Sequence, residues 1–250
     1  MKNILELKNV SLTYQTPDDE IDAIKNLSFA CPEGAFLSII GPSGCGKTTV
    51  LSLIAGLLTP TEGKIYLYGR EKTGKEALGY MLQKDQLFPW RTIEKNVFLP
   101  LEIKKKATPE NKARASELLK KYGLSDFGKK YPHQLSGGMR QRAALIRTLI
   151  ADPELLLLDE PFSALDYQTR LSVGDDVYKI IKNERKTAVL VTHDISEAIS
   201  MSDIIVVLTR RPAMVKTIIK PNVFGDTPLK KRESTEFGIM FEKIWKELNE

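Results

Sequence analysis

The chain has 250 residues, of which 42% are hydrophobic, and its formal net charge is +5. This length and composition predict one globular domain with a sizeable core rather than two full domains. No apolar stretch approaches the ~20 residues that a membrane-spanning helix needs, and the N-terminus lacks the apolar segment of a signal peptide. We therefore expect a cytoplasmic protein, whose short lysine clusters are interleaved with acidic residues and form solvated surface.

The first 35 residues are predicted to form short strands. Residues 5–10 alternate apolar and polar side chains, which is typical of a half-buried strand, and Tyr14 closes this segment. Residues 23–30 are predicted to form a second strand. Residues 36–40 form an apolar run typical of a buried strand, and residues 49–56 are predicted to form a helix.

A glycine-rich motif of the form G-x-x-x-x-G-K-[ST] separates this buried strand from the helix. It consists of Gly41, Pro42, Ser43, Gly44, Cys45, Gly46, Lys47 and Thr48, and Thr49 follows it. The glycines allow the backbone to wrap an anion, so that several amide N–H groups and the positive end of the helix dipole face it. Lys47 supplies positive charge for the β- and γ-phosphates, and the Thr48 hydroxyl is suited to ligate Mg²⁺. The motif therefore predicts binding of a nucleoside triphosphate with Mg²⁺, which the family resemblance described below identifies as ATP.

The chain contains two cysteines, Cys31 and Cys45, which are 14 residues apart (45 − 31). Because they form no C-x-x-C pair, we predict two reduced thiols. Cys45 lies inside the phosphate motif, where a small residue fits. A bulky reagent attached to it is expected to block ATP binding.

A second candidate anion site lies in the segment L-S-G-G-M-R-Q-R at residues 135–142. Ser136 offers a hydroxyl, and Gly137 and Gly138 allow close backbone approach at a helix N-terminus. Taken alone, the segment also fits an ordinary helix start with Ser136 as the N-cap. Combined with the phosphate motif, the spacing L-S-G-G-x-x-Q, which includes Gln141, resembles the signature sequence of ATP-binding cassette (ABC) ATPases.

Two adjacent acids, Asp159 and Glu160, follow the apolar run at residues 155–158. They are expected at the C-terminal end of a buried strand, where open α/β sheets bind their ligands. Because neighbouring side chains leave a strand in different directions, the two carboxylates can have different roles. We predict that Asp159 holds the Mg²⁺ shell and that Glu160 is the general base for the attacking water.

The resemblance to ABC ATPases extends over residues 3 to about 220 and implies roles for four further residues. Tyr14 is expected to stack on adenine, with simple packing as the alternative. Gln83, after the strand-like run at residues 77–82, is expected to contact Mg²⁺ and water. The resemblance further implies that Asp166, in the D-loop S-A-L-D at residues 163–166, lies at the dimer interface, and that His193 in T-H-D contacts the γ-phosphate.

The resemblance also implies the fold class and its division. We expect an α/β P-loop NTPase cassette with a RecA-like core, an antiparallel β subdomain and an inserted helical subdomain. The core and β subdomain are predicted at residues 1–83 and 155–220, the helical subdomain at 84–154 and a C-terminal extension at 221–250. Within the extension, apolar residues at helical spacing predict a helix at 236–248. It either packs on the core or serves as a regulatory or dimer contact.

The segment L-F-P-W-R at residues 87–91 and the segment at residues 210–215 are similar to the nitrate/sulfonate/taurine-type importer group. This similarity implies an ATPase subunit held on the inner face of the membrane by a permease and served indirectly by a solute-binding protein. Each ATP is expected between Lys47, Thr48 and Asp159 of one chain and Ser136–Gly138 of a second, identical cassette.

The apolar side chains of Leu87, Phe88 and Trp90 are the predicted permease contact. A separate ATPase subunit of an exporter is one alternative to an importer. An ABC ATPase linked to nucleic acid is another, although we expect no nucleic-acid partner. The solute is expected to be selected by the solute-binding protein and the permease.

Overall fold

The computed structural model describes residues 2–15, 19–72 and 78–249. In these ranges the chain forms ten strands and eight α-helices. The strands are β1 (Asn3–Gln15), β2 (Glu20–Pro32), β3 (Phe36–Ile40), β4 (Glu62–Leu67), β5 (Arg70–Glu71), β6 (Leu78–Met81), β7 (Leu155–Asp159), β8 (Thr187–Val191), β9 (Ile204–Leu208) and β10 (Val215–Ile219). The helices are α1 (Lys47–Ala55), α2 (Ile93–Ile103), α3 (Pro109–Lys121), α4 (Gly137–Leu149), α5 (Tyr167–Asn183), α6 (Ile195–Met201), α7 (Pro228–Arg232) and α8 (Thr235–Asn249).

The first sheet is antiparallel, with the strand order β2-β1-β4-β5. Its long strands β1 and β2 confirm the strands predicted in the first 35 residues. Leu5, Leu7, Val10 and Leu12 of β1 are all buried against the core. The register of β1 against β2 shifts between Leu7 and Val10, which keeps all four side chains on the buried face although their sequence spacing is irregular.

The second sheet has the order β10-β9-β3-β8-β7-β6, and all its neighbouring strands are parallel except β10 and β9. Every residue of β3, β7, β8 and β9 is buried, because helices or the first sheet cover both faces. This burial explains the continuous apolar runs in the sequence. The strand predicted at residues 77–82 is observed as β6, and Ala77 lies outside the described residues.

The register of the parallel strands brings four chemistry-bearing segments to one edge of this sheet. Ile39 of β3 and Asp159 of β7 both pair with Val191 of β8, and Met81 of β6 pairs with Leu158 of β7. The loops that follow these strands carry the phosphate motif, the paired acids, the T-H-D segment and Gln83. They therefore meet at the carboxyl edge of the sheet, where such sheets bind ligands.

The three helices α2, α3 and α4 lie between β6 and β7 in the chain and account for the predicted helical pattern. The α3 helix begins with Pro109, and the Thr108 hydroxyl accepts a hydrogen bond from the Asn111 amide at 3.3 Å, as the cap-and-proline pattern predicts. Buried side chains of all three helices share one hydrophobic cluster with Leu156 and Leu158 of β7. The helical segment therefore packs directly on the parallel sheet.

The C-terminal helix α8 packs on the core, as one of the two predicted arrangements requires. Ile244 is fully buried and belongs to a cluster with Ile40 of β3 and Ile199 of α6. Trp245, the next residue, is 56% exposed and stacks on Phe241.

Candidate functional site

The phosphate motif forms a tight loop between β3 and α1. Gly44 has a φ of 72° and Gly46 a φ of 115°, values that side chains with a Cβ rarely adopt. A Cβ on Gly41 would lie 2.9 Å from Cys45 Sγ and 3.1 Å from Leu208 Cβ, so this glycine is required by close packing. Gly46 caps α1 without a side-chain hydrogen bond, which leaves the amides of the first turn available to an anion.

The side chain of Lys47 is held by backbone carbonyl groups of the same loop. Lys47 is 7% exposed, and its Nζ donates hydrogen bonds to the carbonyl oxygens of Gly41 at 2.9 Å and Pro42 at 3.0 Å. Ser43, Gly44 and Thr48 are exposed along the same loop, whereas Thr49 is half-buried. The loop thus joins a fixed ammonium group to accessible hydroxyl and amide donors, which is the chemistry that a polyphosphate requires.

A hydroxyl and a carboxylate lie side by side at the start of α1. Thr48 Oγ1 donates to Asp159 Oδ1 at 3.2 Å, and the Tyr80 hydroxyl lies 3.5 Å from Asp159 Oδ2. Burial raises the pKa of Asp159, although the hydrogen bond from Thr48 opposes this effect. Burial and the neighbouring Asp159 raise the pKa of Tyr80 to about 12. Sequence analysis did not identify Tyr80, which has no motif of its own.

Two of the predicted site residues converge on one carboxylate oxygen of a third. His193 Nδ1 lies 3.1 Å from Glu160 Oε2, and Gln83 Nε2 lies 3.5 Å from the same oxygen. Gln83 Nε2 also donates to Ser163 Oγ at 3.3 Å, a D-loop residue that sequence analysis named only as part of the loop. Glu160 has a φ of 44°, which turns its side chain away from the direction that the strand gives Asp159. A carboxylate held in this way can accept a proton from water.

The signature segment begins α4, and Ser136 is its N-cap, accepting a hydrogen bond from the Met139 amide at 3.3 Å. A Cβ on Gly137 would lie 2.8 Å from Leu165 Cδ2, and one on Gly138 would lie 2.6 Å from Val173 Cγ2. These glycines therefore allow α4 to pack tightly against the D-loop and α5. Sequence analysis missed this reason for them, because it depends on a contact between distant segments.

Gln141, the last residue of the signature spacing, differs from Ser136 in its exposure. It is 3% exposed and lies on the buried face of α4, one helical turn before Leu145, so its amide is not presented at the surface with Ser136. Its Oε1 is buried and makes no hydrogen bond within the described part of the chain. The nucleotide contact of Gln141 stays a prediction.

The segment after Gln83 is fastened to the signature helix by two arginines of α4. Arg140 Nε lies 3.0 Å from Asp85 Oδ2, and its Nη1 donates to the Leu135 carbonyl at 2.8 Å. Arg147 donates to the carbonyl oxygens of Asp85 at 2.7 Å and Gln86 at 2.6 Å. These charge-assisted contacts connect the segment after Gln83 to both ends of α4.

The apolar side chains at residues 87–90 divide between core and surface. Leu87 is 7% exposed and belongs to the main hydrophobic cluster, whereas Trp90 is 72% exposed and stacks on Phe88 at 5.0 Å between ring centroids. The fully buried Asn96 fixes the loop, because its Oδ1 accepts from the Phe88 amide at 2.7 Å and its Nδ2 donates to the Phe88 carbonyl at 3.1 Å. Of the three residues, Trp90 is the one most available to a partner.

The two remaining predicted site residues lie at segment ends. Tyr14, near the end of β1, is 37% exposed and pairs with Ile21 of β2. Ile24 of the same strand lies close to Gly46, so this end of the first sheet adjoins the phosphate loop. Asp166 is the N-cap of α5 and accepts a hydrogen bond from the Thr169 amide at 3.0 Å.

These loops match a known family in sequence as well as in arrangement. The chain matches the model of the ABC transporter family over residues 24–163, more than half of its length. The chain belongs to the ABC transporter family. An uncharacterized ABC transporter ATP-binding protein of Bacillus subtilis is 50% identical over 250 residues, covering 99% of this chain and 96% of the relative. The taurine import ATP-binding protein of Pelagibacter ubique is 41% identical over 83% of this chain and 79% of the relative.

Solved ABC structures confirm the predicted fold class. A dimeric ATP-binding cassette in a post-hydrolysis state, bound to ADP and Pi, superposes with a TM-score of 0.73 at 34% identity. The match covers 88% of this chain and 100% of the solved one. The prediction of an ABC ATPase is therefore confirmed at the level of family and fold. No helix within the described residues is both long and apolar enough to cross a membrane.

Proposed function

We propose that this ABC cassette is the ATP-hydrolysing subunit of an importer of the nitrate/sulfonate/taurine type. The observation that carries the catalytic part is the convergence of His193 Nδ1 and Gln83 Nε2 on Glu160 Oε2. This cluster lies at the sheet edge that also carries the phosphate loop. A general base, a group that orients it and an anion-binding loop are the parts that ATP hydrolysis requires.

The phosphate loop would hold the ATP phosphates through the backbone N–H groups of residues 43–49 and through Lys47. The donor set beside it fits Mg²⁺, because Thr48 Oγ1 and Asp159 Oδ1 are hard oxygen donors 3.2 Å apart. Magnesium bound to a nucleotide takes one or two protein ligands and completes its shell with phosphate oxygens and water. Gln83 is the third candidate ligand. When bound, Mg²⁺ supplies positive charge to the β- and γ-phosphates.

Glu160 performs the proton transfer in ATP hydrolysis. Its carboxylate takes a proton from the water whose oxygen bonds to the γ-phosphorus, while the bond from the γ-phosphorus to the bridging oxygen breaks and ADP leaves. Gln83 and His193 hold the carboxylate in place through the 3.5 and 3.1 Å contacts. His193 has a side chain that is 57% exposed, which leaves its ring free to contact the γ-phosphate. Tyr14 would stack on the adenine ring with its exposed face.

A second identical cassette would complete each site with Ser136, Gly137 and Gly138, and Asp166 would lie at the same interface. Support comes from the solved dimeric cassette, which is 34% identical to this chain. The signature segment presents Ser136 at the surface at the start of α4. The 84–154 segment would then move as one unit with the nucleotide state, as a helical subdomain fastened through Asp85 and Arg140.

The import direction and the solute class rest on the relatives. Besides the taurine import protein, an aliphatic sulfonates import ATP-binding protein of Bacillus licheniformis is 39% identical over 90% of this chain. We propose a permease as the membrane anchor, a solute-binding protein as an indirect partner and a location on the inner face of the membrane. The exposed Trp90 is the proposed permease contact.

The experiment has two arms. Purified chain should hydrolyse ATP only with Mg²⁺ present, and DNA or RNA should leave the rate unchanged. A strain lacking the chain should lose uptake of one labelled solute among taurine, an alkanesulfonate and nitrate, and the wild-type chain should restore it. Stimulation of the ATPase by nucleic acid, or slower efflux with unchanged uptake, would contradict the proposal.

A further inference from the structure

A buried carboxylate lies directly beneath the loop that carries His193. Glu197, in the first turn of α6, is 5% exposed, and its Oε2 accepts a hydrogen bond from Thr192 Oγ1 at 2.6 Å. Thr192 immediately precedes His193, and its hydroxyl also accepts the Asp194 amide at 3.0 Å. Thr192 therefore joins the buried carboxylate to the backbone on both sides of the histidine.

One arginine joins this carboxylate to the D-loop. Arg170 of α5 donates through Nη2 to the Leu165 carbonyl at 3.1 Å, and its Nη1 lies 3.6 Å from Asp194 Oδ2. Its Nε lies 4.0 Å from Glu197 Oε1 and, within the described residues, makes no hydrogen bond although it is buried. A shift of about 1 Å would close this last contact to ordinary hydrogen-bond length. The guanidinium group of Arg170 therefore contacts both the D-loop and the loop that carries His193.

The C-terminal extension supplies a second positive charge. Helix α7 packs against α5 and α6, where the Leu229 amide donates to Asp175 Oδ1 at 3.3 Å. The charged groups that act on Glu197 are Arg170 from α5, Arg232 from α7 and Asp194 from its own loop. Burial nevertheless raises the pKa of Glu197 to about 6. The carboxylate is therefore ionised at neutral pH in a site that favours its neutral form.

We infer that Glu197 and Arg170 are positioning residues that couple the D-loop to His193. When the D-loop shifts on pairing of two cassettes, Arg170 transmits the shift to Asp194 and Glu197, and Thr192 passes it to the histidine backbone. Neither residue is among the proposed nucleotide or Mg²⁺ contacts, and both act through His193. This inference rests on the proposed ATPase function, because it assigns the regulation of that same site.

The test compares variants of the purified chain in steady-state ATP hydrolysis. Glu197→Gln and Thr192→Val should each lower kcat about tenfold and leave KM for ATP within about twofold, since ground-state binding is untouched. Thr192→Ser, which keeps the hydroxyl, should recover most of the rate. The double variant of Arg170→Gln with Glu197→Gln should be no slower than the slower single variant, because both act in one network.

Two further readouts distinguish positioning from packing. The ratio of the wild-type kcat to that of Glu197→Gln should approach one as the pH falls below about 6, where the wild-type carboxyl becomes neutral. The Tm of Glu197→Gln at neutral pH should equal or exceed that of the wild type, because the raised pKa of Glu197 means that its ionised carboxyl disfavours the folded state, and glutamine is neutral. As a matched control, Glu184→Gln removes a carboxylate bound to Lys121 and Tyr122, outside this network, and should leave kcat unchanged.

The inference is overturned if Glu197→Gln keeps the wild-type kcat between pH 6 and 8. It is also overturned if kcat and Tm fall together and Thr192→Ser is as slow as Thr192→Val. Glu160→Gln is assayed alongside these variants. A wild-type rate no higher than that of Glu160→Gln would show a failure of the proposed function, whereas a fast wild type with an equally fast Glu197→Gln would reject the coupling alone.

Discussion

His193 Nδ1 and Glu160 Oε2 lie 3.1 Å apart, although the two residues follow different strands of the parallel sheet. The Glu160 amide also donates to the carbonyl of Val191, the last residue of β8, at 2.9 Å. Backbone and side-chain contacts therefore hold the β7 and β8 loops in one arrangement. A carboxylate whose position is fixed in this way needs little rearrangement to accept a proton.

Replacing Glu160 with glutamine should preserve ATP affinity and lower turnover by ~10²–10⁴, because the amide keeps the shape but cannot accept a proton. Nucleotide binding is measured by equilibrium dialysis and turnover by phosphate release. Glu154→Gln, at the opposite end of β7, is the matched control and should turn over normally. Wild-type turnover by Glu160→Gln would remove this residue from the role of base.

Two inactive chains should complement each other if the nucleotide sites are shared. Lys47→Ala removes the ammonium group of the phosphate loop, and Ser136→Arg blocks the signature segment of α4. Each homodimer should be inactive, whereas the mixed dimer retains one intact site and should recover up to about half of the wild-type rate per dimer if the two sites act independently. Pull-down of differently tagged chains verifies mixing, and absence of recovery in verified mixed dimers would count against shared sites.

Trp90→Ala should weaken association with the permease and uncouple solute uptake, while the basal ATPase of the isolated chain persists. The reason is that a large exposed aromatic side chain is the type of residue that dominates interface energetics. Trp245→Ala, at the similarly exposed tryptophan of α8, is the matched control and should leave permease binding intact.

Liposome binding tests the alternative that lipid, rather than the permease, anchors the chain at the membrane. Protein-free anionic liposomes at physiological salt should bind the chain weakly, with or without Trp90. Strong binding that Trp90→Ala leaves unchanged would point to the lysine clusters as the anchor.

Leu87→Ala should behave differently from Trp90→Ala and lower the free energy of unfolding by about 2–5 kcal/mol, because Leu87 lies in the core.

Alkylation of the Cys45 thiol should be slow at pH 7, and its rate should continue to rise with pH above pH 9. The thiol is 2% exposed, and burial raises its pKa, which lowers the thiolate fraction at neutral pH. Loss of ATPase activity during treatment with N-ethylmaleimide measures the rate. Cys45→Ser should resist inactivation, whereas Cys31→Ser should not, since burial raises the pKa of Cys31 to about 12. Rapid inactivation of Cys45→Ser at pH 7 would place the sensitive group elsewhere.

Ile244→Ala should lower the free energy of unfolding by about 2–5 kcal/mol, because it opens a cavity between α8, β3 and α6. Ile239→Ala, on the same helix but 68% exposed, should change it by less than about 0.5 kcal/mol. Urea unfolding followed by circular dichroism compares the two variants. Equal effects at both positions would mean that α8 does not pack on the core in solution.

Short stretches of sequence predict those strands and helix starts that depend only on neighbouring residues. The apolar run at residues 155–158 predicts a strand buried on both faces, and β7 is fully buried. The cap-and-proline pattern at Thr108 and Pro109 predicts the start of α3. The same local reasoning does not distinguish Trp245, which is 56% exposed, from Ile244, which is fully buried, although both are apolar residues of α8. Helical spacing predicts a common face but does not determine which face the neighbouring elements cover.

By itself, the sequence determined the family, the phosphate loop and the identity of the paired acids, because each depends on a short run of residues with fixed spacing. Only the tertiary structure decided which side chains meet. Thr48 and Asp159 are separated by 111 residues, and Gln83 and Glu160 by 77, yet each pair is in contact. The register of parallel strands brings them together, and that register is set by packing on both faces of the sheet. The contact between Arg170 and Glu197 likewise exists only because α5 and α6 pack side by side.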